Sequence, residues 1–216
     1  MKYKCLNFFT KTETTPNTQI IAKTILGSIL ASHGLINDSL TSLIPAMLIS
    51  PIGSLLIKSA TNIVELIINP KIGIKNSIPI IRNFLIIILF SIGIGYIYGY
   101  FYSKYNSKDL PTKEMKSRSE SSGLIEGILI VASCAFAFPW ASKNADITTL
   151  IAIGIATSLL PPLVNIGLVS GSYKAAPENY KETHWLGKSK KYGFLIFGIN
   201  ALGLIIGSII YAITNC

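Results

Sequence analysis

Six stretches of the chain are built almost wholly from Ile, Leu, Val, Phe, Ala and Gly, and short polar segments separate them. The first covers Ile20–Ile36 and is interrupted only by Lys23, whose long side chain can snorkel to a polar boundary. Asn37-Asp38-Ser39 follows as a tight polar turn with N-cap chemistry. The second run spans Leu40 to about Ile57 and holds Pro45 and Pro51. Beyond it Lys58–Asn69 is amphipathic, with Lys58, Asn62 and Glu65 on one helical face and Ile63, Leu66 and Ile67 on another. This segment either extends the second span or lies at an interface. The third run, Ile78–Tyr102, ends in a belt of Tyr96, Tyr98, Tyr100 and Tyr102 suited to a membrane boundary. Gly123–Ser142 is the fourth, Ile147–Gly171 the fifth with Pro161-Pro162 inside it, and Tyr192–Ile213 the sixth.

Each run can cross about 30 Å of hydrocarbon as a helix. A membrane barrel would alternate apolar and polar positions, and these runs are continuous. The expected fold class is therefore all-α, a polytopic transmembrane helical bundle of about six spans. Five spans, or a pair of re-entrant half-spans, are the competing counts. The chain divides into a polar leader (1–19), a first group of three spans (20–102), a polar charged loop (103–122) and a second group of three spans (123–213). The leader shows no small-residue cleavage site, so a signal peptide is not expected.

Composition agrees with a lipid solvent. Half the residues are hydrophobic, 13% are charged and the mean hydropathy is +0.53. Soluble domains carry about 25% charged residues. The expected location is an integral, multi-pass position in a membrane, with lipids as the obligatory surroundings. The net charge of +9 comes from Lys and Arg between the apolar runs, as at juxtamembrane boundaries. They form no basic stripe with interleaved exposed aromatics, so nucleic acid is not an expected partner. They divide almost evenly between the two sides, which leaves orientation open.

The two groups of spans echo one another. Asn37-Asp38-Ser39-Leu40-Thr41 opens the second run, and Asn144-Ala145-Asp146-Ile147-Thr148 opens the fifth, about 107 residues on. Leu48-Ile49-Ser50-Pro51-Ile52 resembles Leu159-Leu160-Pro161-Pro162-Leu163, about 111 residues on. Three spans per copy, an odd number, would make the second copy start on the opposite side of the bilayer, an inverted-topology pair of the kind that builds midplane sites in secondary transporters. The prolines would then break two helices and free backbone carbonyls that lipid cannot satisfy. Ser50, Thr157 and Ser158 stand beside them. The plainer reading is two packing kinks.

At these residues the chain resembles a known family. Gly34-Leu35-Ile36-Asn37-Asp38-Ser39 with Ile44-Pro45-Ala46-Met47-Leu48-Ile49-Ser50-Pro51 is similar to the first signature of the hydrophobic proteins called domain of unknown function 389. Family members typically have glycine at Pro45 and a Leu-Met pair at Ile52-Gly53. Leu159-Leu160-Pro161-Pro162 resembles the second signature, Asn200 matches an Asn of the last span, and Glu126 an acidic residue opening the fourth. The resemblance covers about residues 20–213 and implies a multi-pass membrane fold without naming an activity.

Polar residues inside the runs are the remaining candidates. An ionised acid at a bilayer centre costs about 2.5–3.5 kcal/mol on insertion scales. Glu126 is thus either a proton- or cation-binding group or an interfacial acid near a helix start. Asn165 and Asn200 either contact a permeating species or join helices. Gly93, Gly95, Gly99, Gly198, Gly203 and Gly207 permit close helix approach, including a homo-oligomer seam.

Cys5, Cys134 and Cys216 are scattered, and His33 and His184 stand apart, so neither a metal site nor a cofactor is expected. No GxSxG, HExxH or P-loop pattern occurs, and catalysis is not expected. Two functional expectations stand. One is a small transporter or channel for an ion or small molecule, with a path near Ser50, Pro51, Glu126, Ser158, Pro161, Pro162, Asn165 and Asn200. The other is a non-transporting scaffold, lipid-binding or bilayer-sensing protein.

Overall fold

A computed structural model describes residues 17–106, 110–119, 122–143, 147–157, 159–175 and 185–215. All nine regular elements among the described residues are helices. They are α1 (Asn17–Ile36), α2 (Leu40–Ile49), α3 (Ile52–Ile68), α4 (Pro70–Tyr105), α5 (Lys113–Ser117), α6 (Ser122–Lys143), α7 (Ile147–Thr157), α8 (Leu160–Ala175) and α9 (Trp185–Asn215). Three stretches are long and apolar enough to cross a membrane: Thr18–Ile36, Pro70–Tyr105 and Gly187–Gly207. Leu40–Leu56 and Gly127–Ala137 are shorter apolar stretches.

The turn after α1 forms because Asp38 adopts a left-handed conformation, φ 51°, which a short polar side chain tolerates. The Ser39 amide then donates to the Gly34 carbonyl at 2.9 Å, closing the helix end as a Schellman motif. Ser39 is the N-cap of α2, but its hydroxyl pairs with Thr41 Oγ1 at 2.8 Å and not with the helix amides. The expected amphipathic segment is the second half of α3, which continues the second apolar run as one helix.

Contact order along neighbouring helices fixes their directions. Leu43 and Ala46 of α2 lie against Gly34 and Gly27 of α1, so these two are antiparallel. Asn62 donates to Ser77 at 2.7 Å and Gly73 touches Leu66, so α3 and α4 are antiparallel too. Gly95 and Gly99 of α4 meet Val164 and Leu168 of α8 in ascending order, so α4 and α8 are parallel. Gly203 and Gly207 of α9 meet Val131 and Ala135 of α6 in the same sense.

The α4–α8 seam is the most intimate in the bundle. A Cβ on Gly95 or Gly99 would sit 2.3 Å from a carbonyl oxygen of α8. One on Gly167 or Gly171 would sit 2.0 Å from a carbonyl of α4. Two small-xxx-small pairs thus face each other and bring backbone against backbone. Of the glycines expected to serve close packing, Gly95, Gly99, Gly203 and Gly207 do so, while Gly93 and Gly198 face open space.

Helix α8 lies at the centre, with Leu160 to Val169, Gly171 and Ser172 all buried. Helices α4 and α9, packed on it, and α6, packed on α9, turn large apolar side chains outward, among them Ile78, Leu85, Leu89, Leu129, Phe136, Trp140, Leu202 and Ile206. Leu89 is 68% exposed and Trp140 63%. An apolar exterior this extensive is adverse in water and favourable in lipid.

The polar stretch expected as a plain loop is partly built into the bundle. Leu110, Thr112, Met115 and Ser119 are buried. Thr112 donates to the Leu35 carbonyl in the last turn of α1, and the Glu114 amide donates to Asp38 Oδ1 at 2.8 Å.

Candidate functional site

Two of the chain's helical paths are interrupted, and both interruptions follow from proline chemistry. Between α2 and α3, Ser50 leaves helical geometry (φ −57°, ψ 130°) and Pro51 caps α3. Pro51 has no N–H to offer the Met47 carbonyl four residues back. The start of α3 is held locally, with the Ser54 hydroxyl donating to the Pro51 carbonyl at 2.9 Å and the Ile52 amide to Ser50 Oγ at 3.4 Å.

Between α7 and α8 the helix stops at Thr157 and restarts at Leu160, so Pro161 and Pro162 are the second and third residues of α8. There their missing N–H groups cost no intrahelical bond, because first-turn amides have none to make. Of the two expectations, broken helices and packing kinks, the described residues show breaks, with prolines opening the next segment.

Pro161 still leaves the Thr157 carbonyl without its usual donor. Asn200 of α9 supplies one, through Nδ2. The Asn200 side chain is buried, its Oδ1 has no hydrogen-bond partner among the described residues, and it lies beside Gly127 of α6.

Both breaks meet on α1. A Cβ added to Gly27 would sit 3.0 Å from Leu160 Cδ2, 3.2 Å from the Ala46 carbonyl oxygen and 4.0 Å from the Ser50 amide nitrogen. Gly27 thus touches the end of α2 and the start of α8 together. The adjacent Ser28 is fully buried, and its hydroxyl has no hydrogen-bond partner among the described residues.

Asn165 belongs to a different cluster. It lies in α8 beyond the break, donating to the Met115 carbonyl at 2.9 Å and to Ser119 Oγ at 2.7 Å. Ser119 in turn pairs with Ser189 of α9 at 3.1 Å. Beside this cluster Arg118 faces Glu114 at 3.7 Å. Burial pulls the guanidinium below its ordinary pKa while Glu114 opposes the shift, and the group starts so high that it stays charged.

A family model described as Domain of unknown function (DUF389) matches residues 47–216. The chain belongs to this family. No curated protein and no solved structure compared with it gives a match. In this DUF389 chain the matched region takes in both breaks, α5, Asn165 and Asn200, and leaves α1 and most of the Gly34–Pro51 signature ahead of it.

Of the residues singled out from the sequence, Ser50, Pro51, Pro161, Pro162 and Asn200 stand at the breaks. Asn165 stands with α5. Ser158 and the side chain of Glu126 lie outside the described residues. Sequence reasoning missed Gly27 and Ser28, which look like ordinary small residues of an apolar run. It also missed Gly167 and Gly171, although their spacing repeats that of Gly95 and Gly99. Among the described residues no three His, Cys, Asp or Glu side chains are grouped as metal ligands.

Proposed function

We propose that this DUF389 chain is a six-span integral membrane protein of two inverted three-span repeats that passes an ion or small solute at its paired helix breaks. Helices α2 and α3 together make one crossing and α7 and α8 another, giving α1, α2–α3, α4, α6, α7–α8 and α9 as the six. The packing partners pair off between the halves, which supports the repeat. Contacts α1–α2, α1–α4 and α3–α4 correspond to α6–α7, α6–α9 and α8–α9, while α4–α8 corresponds to α9–α3. The α2–α7 contact maps onto itself, as a two-fold relation requires. The parallel α4–α8 and α6–α9 pairs and the antiparallel hairpins give the second half the opposite sense to the first.

The observation that carries the functional reading is the meeting of both breaks at Gly27. Irregular backbone at membrane depth persists only where protein or a water-lined path surrounds it, and discontinuous helices at a repeat interface are where transporters bind their cargo. Buried acceptors at Asn200 and Ser28, without partners among the described residues, add polar capacity to the same layer. No catalytic step is assigned to the chain.

The test is flux through purified protein in sealed vesicles, surveyed with monovalent ions and small organic solutes, alongside labelling of Ser50→Cys by a membrane-impermeant thiol reagent. Flux above protein-free vesicles, labelling at Ser50→Cys and reduced flux in Asn200→Ala support the reading. Absence of any flux together with complete protection of Ser50→Cys would overturn it. Glu126→Gln then reports coupling, because a carboxylate that carries a proton or cation cannot be replaced by an amide without loss. A second reading, a scaffold without transport, draws on one observation: Asn165 and Asn200 both spend their amide donors on bonds within the bundle. It predicts that protected, flux-free outcome.

A further inference from the structure

The two half-helices that leave the breaks, α3 and α8, occupy corresponding places and are packed unequally. Among the described residues helix α8 packs on α1, α2, α4 and α9 and bonds α5. Among the described residues α3 packs extensively only on α4 and α9, the counterparts of α9 and α4. Among the described residues it makes no extensive interface with α6 or α7, the counterparts of α1 and α2. First turns agree at their first residue, where Leu160 and Ile52 are both buried, and differ at the next two. Pro161 and Pro162 of α8 are buried. At the matching places, about 108 residues earlier, Gly53 has no atom within 4 Å of an added Cβ, and Ser54 is exposed.

We infer that this arrangement is one of two exchangeable states, closed where α8 meets α1 and open where α3 faces α6, and that exchanging the two packings moves access to the breaks from one end of the bundle to the other. The inference rests on the inverted-repeat reading above.

The exchange is sterically available. Gly27 lets Leu160 approach α1. The residue of α6 at the same distance before its following half-helix is Cys134, also small, and the residue of α3 that would meet it is Ile52, an apolar side chain like Leu160. A second feature explains why the described state is preferred. Helix α5 ties α1 to α8: Thr112 bonds the Leu35 carbonyl on one side, and Asn165 bonds Met115 and Ser119 on the other. At the corresponding place of the first repeat the sequence has Ile57, which carries no side-chain amide to make such bonds. Opening α8 from α1 requires those bonds to break, and a ligand or substitution that weakens them shifts the population.

Cysteine pairs distinguish the states in phosphatidylcholine–phosphatidylglycerol vesicles. With Cys5→Ser, Cys134→Ala and Cys216→Ser in place, Gly27→Cys and Leu160→Cys join on mild oxidation in the described state. With Cys134 kept, Ile52→Cys joins it only in the exchanged one. Both pairs are expected to form, the second more slowly. Ser54→Cys alone, at an exposed position, is labelled by an impermeant maleimide from the α3–α4 end. Adding Asn165→Leu raises the rate at which Ile52→Cys joins Cys134 about fivefold, because the exchanged state is the minor one and gains nearly the full factor of one net hydrogen bond.

A pair at Ile52→Cys and Cys134 that never joins, while Gly27→Cys and Leu160→Cys join readily, would overturn the exchange. So would an Ile52→Cys–Cys134 joining rate untouched by Asn165→Leu, an outcome readable even where the Gly27 variant fails to fold. Joining of both pairs without any flux leaves the exchange standing and removes transport. Undiminished flux with Gly27→Cys and Leu160→Cys joined does the reverse.

Discussion

Single residues in this bundle differ sharply in what they tolerate, and the glycines give the cleanest contrast. Gly171 places its α-carbon against Tyr96, and an added methyl would lie 2.0 Å from the Tyr96 carbonyl oxygen. Because that atom is backbone, the neighbour cannot rotate away and the seam itself must separate. Gly171→Ala is therefore expected to lose more than the about 1–3 kcal/mol typical of overpacking, or to prevent assembly. Gly93→Ala meets nothing within 4 Å and should be neutral or raise stability by about 0.5–1 kcal/mol through the better helix propensity of alanine. Denaturant titration in micelles, run on both variants, decides between backbone contact and mere helix propensity. Equal effects would mean the α4–α8 approach is looser than described. Asn200→Ala is milder. It strands the Thr157 carbonyl, yet side-chain bonds in membrane bundles average about 0.6 kcal/mol and reach about 1.7, so a loss near 1 kcal/mol is expected by the same titration.

Elements are where sequence and structure part. Helix positions were legible because lipid demands long apolar runs, and the breaks were legible because proline cannot donate a hydrogen bond. The register of the internal echo was less so. Matching Pro51 to Pro162 aligns the prolines, but the helix restarts at Ile52 and Leu160 pair the breaks about 108 residues apart, which sets Pro51 opposite Leu159. Proline can occupy an N-cap or the first turn with equal ease, so its exact place carries little register information. Helix α5 was not legible at all. Its residues are charged and turn-like, and burial of Thr112, Met115 and Ser119 arises from partners far along the chain at Leu35, Asn165 and Ser189. No periodicity within a short polar stretch encodes such contacts. The clasp makes its own prediction. Thr112→Val removes the bond to Leu35 and the hydroxyl that caps α5 through the Met115 amide. Limited proteolysis around Lys113 and Lys116 should accelerate several-fold in Thr112→Val, while Lys113→Gln, on the exposed face, changes only the trypsin site it removes. An unchanged cleavage rate at Lys116 would mean the clasp holds by apolar contact at Met115 alone.

The whole molecule can be tested through the length of one helix. α4 has 36 residues, so it extends about 54 Å, well beyond about 30 Å of hydrocarbon. Its first turn lies at the α3–α4 connection, with Lys71 and Lys75 exposed, and its far end lies with the end of α1 that Thr112 bonds, Tyr98 pairing with His33 at 3.1 Å. Ser119 bonds Ser189, so the start of α9 with its exposed Lys188, Lys190 and Lys191 shares the α5 end. If α4 crosses the bilayer, Lys71 must face one compartment and both Lys113 and Lys188 the other, whatever the absolute orientation. Lys71→Cys, Lys113→Cys and Lys188→Cys, each the only cysteine in the chain, should split in that way when an impermeant reagent is added outside sealed, uniformly oriented vesicles. Lys113→Cys and Lys188→Cys should always label together, because a hydrogen-bonded cluster a few ångströms across joins their segments. Labelling of all three from the same side would place α4 along the membrane surface. The outward isoleucines of α4 would then be half in water, and the opposite senses of the two halves would no longer correspond to opposite sides of a bilayer.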